Sequence, residues 1–456
     1  MTFLEQLAID AANFIWGTPL LILLMGGGLF FMVYSRFLPY QYFGHAINIL
    51  RGKYQNPDDP GEISPFQALS GALAATVGMG NISGVAVAIA TGGPGAVFWM
   101  SVSALVGIAT KFFTCTLAVM YRGKDSEGNI QGGPMYVIVE GLGKKWKPLA
   151  IFFCVAGFFG ATPIFQANQL IQVVHDVVLY PNNFASPDNL TSNVIVGVIV
   201  TILVAIVIFG GIKRIANVAS KLVPAMVLLY GLGVLVIMIQ YYDNVIPSFM
   251  LILKDAFTAD AALGGAVGMI IITGARRAAF SNEAGIGTSP MMHGAAQTKE
   301  PVREGLVAMM EPAIDTMIVC TLTGLSILVT GAWKDPDANG ISLTAKAFEL
   351  AMPGIGPYIL MTCVAIFAIT TIFGLSYYGK KCFSFLVGAK YGDYFNYWYI
   401  MLIILGSVLS LQAVFSFIDF AYALMSIPTV ISAVLLAPKV KAAAKDYFER
   451  IDKTGA

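Results

Sequence analysis

The sequence predicts an all-α integral membrane protein with about eleven membrane-spanning helices. Of its 456 residues, 57% are hydrophobic and only 12% are charged, about half the charged fraction of a typical soluble domain. Runs of about 20 apolar residues recur along nearly the whole chain, and each can cross a hydrocarbon core about 30 Å thick. Because backbone groups in lipid must bond one another, these runs have to be helices. A large soluble helical protein would need a polar face on each helix, and most of the runs have none.

Short polar connections separate the predicted spans, which leaves no room for a soluble catalytic domain and predicts a single membrane domain. The expected spans are residues 14–37, 65–90, 95–121, 148–179, 192–209, 218–241, 260–281, 303–330, 356–379, 393–411 and 413–437. The first span follows Glu5 and Asp10 rather than a basic segment, and no small-residue cleavage site closes it. We therefore expect a retained helix and not a signal peptide.

Lysine and arginine lie unequally on the two sides of this arrangement. One side carries most of them, including Arg122 and the tail from Lys439, whereas the other holds only Lys254, Lys334 and Lys346. Because these residues concentrate in cytoplasmic connections, we expect the N-terminus outside the cell and the C-terminus in the cytoplasm. The net charge of +1 gives no indication of nucleic acid as a partner. Five cysteines without paired spacing predict neither a zinc site nor a disulfide framework.

Two spans are unusually rich in glycine and begin two consecutive sets of five helices, 65–241 and 260–437. A single helix at 14–37 precedes the sets, and a tail at 438–456 follows them. Because each set has an odd number of helices, the second enters the membrane from the opposite side, which predicts an inverted repeat. Glycine-interrupted helices at matching places in two repeats point to the midplane site of a secondary transporter. Close helix packing is the alternative explanation of these glycines.

Unwinding of the second span near Thr76–Asn81 would create a site for a free amino acid, a zwitterion that needs buried partners at both ends. Freed N–H groups there face a carboxylate, together with the positive end of the following half-helix. Freed carbonyls face an ammonium group or a sodium ion. The expected substrate contacts are Ala75, Thr76, Gly78, Met79 and Gly80, with Thr273 and Gly274 of the seventh span, where unwinding at Met269–Ile272 would free further carbonyls.

A sodium site is expected beside the same break. Sodium, like other hard cations, prefers a shell of several oxygen ligands. Thr370 and Thr371 are adjacent hydroxyls in an otherwise apolar ninth span, and the amide of Asn81 adds another oxygen. The expected cation ligands are Ala74, Val77, Asn81, Thr370 and Thr371. The alternative for the threonines is a hydrogen bond to a carbonyl of their own helix.

The fourth span contains four amides within seven residues, after a proline: Gln166, Asn168, Gln169 and Gln172. Amides are expensive in lipid and should face a cavity or a partner helix. We expect Asn168 and Gln169 to contact the substrate, with bonding between helices as the alternative for the others.

Two intramembrane carboxylates, Glu311 and Asp315, lie four residues apart near the inner end of the eighth span. We expect them to pair with arginines such as Arg276, Arg277 or Arg303, in structural ion pairs or a gate. A proton relay is the alternative.

Several stretches resemble one known family. Residues Gly92–Gly107 are similar to the signature of the sodium:alanine (alanine or glycine:cation) symporter family, and depart from it at Ser101, where the family usually has tryptophan. Gly132–Tyr136 and Gly274–Gly285 resemble two further stretches of that family. With Ala75–Asn81, the similarity extends over more than half of the chain.

The resemblance implies sodium-coupled uptake of alanine or glycine by alternating access, in the bilayer of the cell membrane. It also implies a LeuT-type fold of two inverted five-helix repeats, here with an extra N-terminal helix. In that fold the first core helix carries a similar unwound Val-Gly-x-Gly-Asn segment. The match implies substrate and ion contacts at Ala74–Asn81 and a second sodium-type site at Val77 with Thr370 and Thr371. The stretch Ser281–Gly285 is expected to be a gate or loop anchor.

Other functions remain as alternatives to this interpretation. Within the same fold, a symporter driven by protons or an amino acid exchanger is the alternative mechanism. A channel would be expected to show polar stripes along several helices or a filter-like repeat, and the sequence has neither. We therefore expect a transporter and not an enzyme or a channel.

Overall fold

The computed structural model describes residues 14–184, 190–257, 266–336, 338, 340–407 and 411–454. Its helices are α1 (Pro19–Tyr34), α2 (Phe43–Leu50), α3 (Pro65–Thr76), α4 (Gly80–Gly92), α5 (Gly95–Met120), α6 (Lys144–Leu179), α7 (Leu190–Ile208), α8 (Gly211–Gln240), α9 (Tyr242–Ala256), α10 (Ala266–Asn282), α11 (Ser289–His293), α12 (Pro301–Val329), α13 (Ile341–Ala351), α14 (Gly356–Val387), α15 (Tyr394–Gly406) and α16 (Leu411–Thr454). A small antiparallel hairpin, β1 (Gly123–Lys124) and β2 (Ile130–Gln131), follows α5.

Seven of the described helices are long and apolar enough to cross a membrane, namely α5, α6, α7, α8, α12, α14 and part of α16. The bent pair α3 and α4 makes an eighth candidate. At the other three predicted positions the chain forms the shorter helices α1, α10 and α15. Residues 260–265 of the seventh predicted span and 408–410 of the tenth lie outside the described residues. The many-helix membrane architecture is confirmed, whereas the count of eleven stays a prediction.

The predicted break in the second span is present between α3 and α4. Helix α3 begins with a reciprocal cap, in which Ser64 and Gln67 each accept a hydrogen bond from the other's backbone N–H. It ends at Thr76, because the backbone of Val77 is extended, with ψ of 94°. The axes of α3 and α4 differ by 53°. Val77–Met79 therefore divide this span into two half-helices.

The second break lies elsewhere than the glycine pattern predicted. Helix α10 continues through Met269–Gly274 and ends at Asn282, so the expected unwinding there is wrong. An irregular segment, residues 283–288, separates α10 from α11 instead. Glu283, Gly285 and Gly287 have φ of 53°, 89° and 105°, and this left-handed backbone favours glycine.

Gly274 has a packing role. A Cβ at this position would lie 2.8 Å from the carbonyl oxygen of Ala96 and 2.7 Å from the Cβ of Trp99. The glycine therefore lets α10 approach the backbone of α5. Glycine density alone did not distinguish such a contact from unwinding, which is why the sequence misplaced the break.

The first and last helical regions pack together. The indole N–H of Trp16, just before α1, donates to the carbonyl of Asp419 in α16 at 2.8 Å. Near the other end of α16, the rings of Tyr42 and Phe448 stack with centroids 3.7 Å apart. Arg450 forms a bidentate ion pair with Glu300, just before α12. Helix α16 thus connects the early and late parts of the chain.

Helix α14 packs directly on α3 beside the break, and this contact predicts the effect of a small substitution. We expect Gly374→Ala to lower the melting temperature of the detergent-purified protein, because the added Cβ would lie 2.6 Å from the Cβ of Ala75. Overpacking of this kind costs about 1–3 kcal/mol. The control is Gly231→Ala in α8, where an added Cβ meets nothing within 4 Å. Equal melting temperatures for the two variants would contradict the close packing.

Candidate functional site

Asn81 organises the break between α3 and α4. Its side-chain oxygen accepts a hydrogen bond from the N–H of Gly78 at 2.8 Å. Its side-chain nitrogen donates to the carboxylate and to the carbonyl of Asp315, at 2.8 and 3.0 Å. Because Asn81 is fully buried, it satisfies a freed backbone donor inside the membrane and joins α4 to α12.

The break frees the backbone carbonyls that the sequence placed at a cation site. The N–H of Gly78 donates to the Asn81 side chain, so the helical bond to the Ala74 carbonyl is not made. The N–H of Asn81 donates to the Gly78 carbonyl at 3.1 Å, so the helical bond to Val77 is not made either. Neither carbonyl therefore accepts its usual helical hydrogen bond.

The two threonines of α14 differ in their partners. The Thr370 hydroxyl donates to the carbonyls of Ile366 and Phe367, at 2.9 and 3.1 Å. These are bonds within its own helix, the alternative given for the threonines from the sequence. The Thr371 hydroxyl is buried without a hydrogen-bond partner in the described part of the chain. It lies against Gly78, where an added Cβ would overlap it. Of the two threonines, Thr371 therefore has the hydroxyl that is available to another partner.

Asp315 is the site residue whose role the sequence reasoning missed. Its carboxylate accepts from the hydroxyls of Ser281 at 2.6 Å and Thr316 at 2.7 Å, besides the amide of Asn81. Within the described residues Asp315 forms no ion pair, so the expected pairing with an arginine is wrong. Its burial in a span was the available signal. Three helices, α4, α10 and α12, therefore meet at one buried carboxylate.

The other expected ion pairs also form between different residues. Arg276 and Arg277 pair with Asp419 of α16, at 2.7 and 3.1 Å, and Glu311 pairs with Lys111 of α5 at 2.7 Å. Arg303 donates to the hydroxyl of Tyr447 at 3.2 Å. Glu311 and Asp315 were both expected to pair with arginines, but their side chains contact different helices and neither forms an ion pair with an arginine among the described residues.

The predicted contacts in the seventh span lie away from the break. Gly80, at the start of α4, faces Phe280 and Ser281, with an added Cβ 3.3 and 3.2 Å from them. Thr273 instead faces Gly92 at the far end of α4, where an added Cβ would lie 3.1 Å from it. The two helices thus run in opposite directions, about 18 Å along α4 separate these contacts, and Thr273 and Gly274 are not brought to Gly78.

Other residues predicted in the second span are buried around the break. Ala75 packs on Gly374 of α14, and the hydroxyl of Thr76 donates to the carbonyl of Ala72 at 3.2 Å. Met79 is completely buried. Phe280 covers this region, and its ring lies 5.4 Å from that of Phe165 and 5.8 Å from that of Tyr422, centroid to centroid.

The amides of the fourth span divide between two environments. Gln169 accepts from Ser83 of α4 at 3.0 Å and donates to Gln172 at 2.9 Å. Asn168 donates to the carbonyl of Gly406 in α15 at 3.2 Å, so it bonds a partner helix. The oxygen of Gln166 is buried and unpartnered among the described residues, as is the hydroxyl of Thr162. Both lie near Ala161–Pro163, where α6 is interrupted.

A cavity of about 640 Å³ approaches the break from the side that carries most basic residues. Among its lining residues are Glu62, Asp125, Ser376, Tyr377 and Lys381. Ser376 lies only five residues along α14 from Thr371. The Lys381 ammonium donates to the carbonyl of Met291 and the hydroxyl of Tyr377, both at 2.9 Å.

Comparison with known proteins identifies the family of this chain. All residues, 1–456, match the model of the sodium:alanine symporter family. The chain belongs to the sodium:alanine symporter family. It is therefore a cation-coupled amino acid symporter and not an enzyme.

Two relatives match this symporter over nearly its full length. An uncharacterized transporter of Haemophilus influenzae is 42% identical over 97% of this chain and 96% of its own. The sodium/alanine symporter AgcS of Methanococcus maripaludis is 38% identical over 96% of both chains.

The fold is similar to that of a solved structure. The crystal structure of MhsT in complex with L-phenylalanine covers 85% of this chain and 93% of its own, with 14% identity and a TM-score of 0.63. The predicted LeuT-type fold is thereby confirmed.

The position of Asn81 in this symporter predicts a large effect of its removal. We expect Asn81→Ala to lower the melting temperature, because the Gly78 N–H and the Asp315 carboxylate each lose a buried partner. Each unsatisfied group costs about 1–3 kcal/mol. The control is Asn182→Ala, which removes an exposed amide bonded to the carbonyl of Val178. If Asn81→Ala melts no lower than this control, the break does not depend on the Asn81 cap.

Proposed function

We propose that the symporter couples the inward movement of sodium to the uptake of small neutral amino acids, alanine and glycine, by alternating access in the cell membrane. The name of the relative from Methanococcus maripaludis, a sodium/alanine symporter, supports this assignment. The observation that carries it is the buried hydroxyl of Thr371, which has no hydrogen-bond partner among the described residues and lies against Gly78 in the break, where Ala74 and Val77 lose their helical hydrogen bonds. Three neutral oxygens at a backbone break suit a weakly held hard cation.

Asp315 supplies the charge that a second cation position needs. A carboxylate that is buried without an ion pair is costly, and a sodium ion near Asn81 and Ser281 would neutralise it. The cation would then lie beside the N–H groups at the start of α4. We propose that the substrate carboxylate binds there, at Met79 and Gly80, where the positive end of the half-helix favours an anion.

Small substrates fit the packing around this position. Gly80 faces Phe280 and Ser281 so closely that a methyl group on Gly80 would lie 3.3 and 3.2 Å from them. Gln169, which reaches Ser83 of α4, provides a neutral polar wall. A pocket bounded in this way favours an amino acid with a short, uncharged side chain.

The two sides of the break support alternating access. On one side, Arg276 and Arg277 pair with Asp419, and the guanidinium carbon of Arg277 lies 5.8 Å from the centroid of the Phe280 ring. On the other side, the cavity lined by Ser376 and Lys381 leads towards the break. We propose that this cavity is cytoplasmic, with the N-terminus outside, the C-terminus in the cytoplasm, and two inverted repeats at 65–241 and 260–437.

Uptake in proteoliposomes tests the coupling ion and the substrate together. We expect radiolabelled alanine uptake to rise with an inward sodium gradient, because the site is completed by sodium, and to be insensitive to a proton uncoupler. Glycine should compete with alanine, whereas arginine and glutamate should not, since their charges have no buried partner. Unchanged uptake after choline replaces sodium would remove the coupling assignment.

Thr371 and Thr370 form a matched pair of variants. We expect Thr371→Ala to raise the sodium concentration for half-maximal alanine uptake about tenfold, the effect of losing a contact of about 1.4 kcal/mol. Thr370→Ala should change it little, because that hydroxyl is already bonded within α14. Sodium titrations of the two variants at saturating alanine measure the difference. An equal shift in both would argue against Thr371 as the ligand.

A further inference from the structure

A buried cluster of charged residues lies outside the proposed substrate and sodium sites. The cluster joins α5, α11 and α12, and each of its members is at most 1% exposed. Its members are Lys111, Ser289, His293, Glu304 and Glu311. Nothing in the proposed transport mechanism uses it, although four titratable groups in one buried chain are costly to maintain.

The hydrogen bonds within the cluster are short and continuous. One oxygen of Glu311 accepts from Lys111 and from Ser289, each at 2.7 Å. Its other oxygen lies 2.6 Å from Nε2 of His293. The second imidazole nitrogen, Nδ1, lies 2.5 Å from an oxygen of Glu304. His293 therefore bridges two carboxyl groups that belong to the same helix, α12.

These contacts require one more proton than ordinary ionisation at neutral pH supplies. A neutral imidazole carries a single N–H, and a carboxylate can only accept. Two contacts from one ring to two carboxylates therefore leave one nitrogen lone pair facing an oxygen lone pair. An additional proton, on Nδ1 of His293 or on Glu304, converts that repulsion into a hydrogen bond.

Charge balance requires the same proton. With it, the cluster is neutral overall, because Lys111 offsets Glu311 and the protonated His293–Glu304 pair carries no net charge. Without it, the cluster carries one net negative charge at a fully buried position, a state that costs several kcal/mol. The second oxygen of Glu304 has no hydrogen-bond partner among the described residues, so no other donor there relieves that charge.

We propose that His293 and Glu304 form a proton-binding site whose proton is resident: it is held throughout the transport cycle and is not carried across the membrane. The bound proton joins α11 to α12, and through Glu311 and Lys111 to α5. These three helices then move as one unit when the break regions rearrange.

Other titratable groups surround the pair and must be distinguished from it. Cys115 lies on α5, Arg122 follows that helix, and Glu283 lies in the second break. From α14, Tyr378 faces the carboxylates and Lys381 reaches the carbonyl of Met291. Of these, Lys381 is the group whose loss of charge would most resemble loss of the resident proton, because it also contacts α11.

The variant Glu304→Gln distinguishes a hydrogen bond that needs an additional proton from one that does not. Its amide N–H can donate to a neutral Nδ1, so Glu304→Gln keeps the hydrogen bond and the zero net charge without the additional proton. Purified wild-type protein should lose thermal stability as the pH rises from 7 to 8, below the range in which the thiols of the unfolded chain ionise, with a slope equivalent to about a tenfold change in the unfolding equilibrium per pH unit, the value for one proton. Glu304→Gln should remove that slope.

Two control variants retain the pair. Glu349→Gln changes an exposed carboxylate that accepts from the N–H of Gly354, and Lys381→Gln removes the nearby ammonium. Both should keep the wild-type slope. A flat wild-type profile overturns the proposal without need of any variant, and so does a slope that persists in Glu304→Gln or disappears in Lys381→Gln. Melting curves need no substrate, so this result is independent of whether alanine is transported.

A flux measurement tests whether the proton is resident. Wild-type proteoliposomes that contain a pH-sensitive dye should show sodium-driven alanine uptake without acidification of the interior. Entry of one proton with each alanine would overturn the resident assignment. Absence of alanine uptake would instead contradict the proposed function, while the melting curves would still decide the proton site.

Discussion

The structure depends on one constraint, that backbone hydrogen-bonding groups inside a bilayer need partners from the protein itself. Helices satisfy it automatically. The irregular segments at residues 77–79 and 283–288 satisfy it with side chains. At the first, Asn81 accepts from Gly78. At the second, Asn282 accepts from the N–H of Ala284 at 2.9 Å and Thr429 donates to the carbonyl of Ile286 at 3.1 Å. Irregular backbone thus occurs where polar side chains can reach it, and the carbonyls that lose their helical bonds are the ones we propose as ion ligands.

Much of this arrangement could be predicted from the sequence, and the exceptions share a cause. Apolar run length identified the helices, and the Val-Gly-Met-Gly-Asn segment identified the first break, because extended backbone at Val77 and the Asn81 cap are local properties. The second break depends on packing that sequence spacing does not contain. Gly274 lies against α5, whereas the break falls at Glu283, a non-glycine residue with positive φ whose carboxylate accepts from the hydroxyls of Thr288 and Tyr422. Likewise, spacing within one helix could not show that Asp315 would meet hydroxyl and amide groups while Glu311 met Lys111.

Three groups of buried charged residues differ in the partners that offset their charge. Asp419 with two arginines lies on one side of the breaks, Asp315 with neutral donors lies between them, and the cluster around His293 lies beyond the second break. The first and third groups contain both positive and negative side chains, so their carboxylates need no added cation. Of these three groups, only the middle one contains a carboxylate without a cationic partner among the described residues. Glu283 in the second break is also buried and accepts hydrogen bonds from the hydroxyls of Thr288 and Tyr422. This difference supports our proposals that the outer groups have a structural role and that a cation binds near Asp315.

The contact between Trp16 and Asp419 spans 403 residues, and it has a consequence for biosynthesis. Asp419 is also the partner of Arg276 and Arg277, which are synthesised and inserted long before it. Until the ribosome has delivered α16, these two guanidinium groups lack the Asp419 carboxylate, and the indole of Trp16 lacks the carbonyl to which it donates. Assembly of the bundle is therefore completed only at the end of translation, and a chain terminated before α16 would lack the carboxylate that pairs with both arginines.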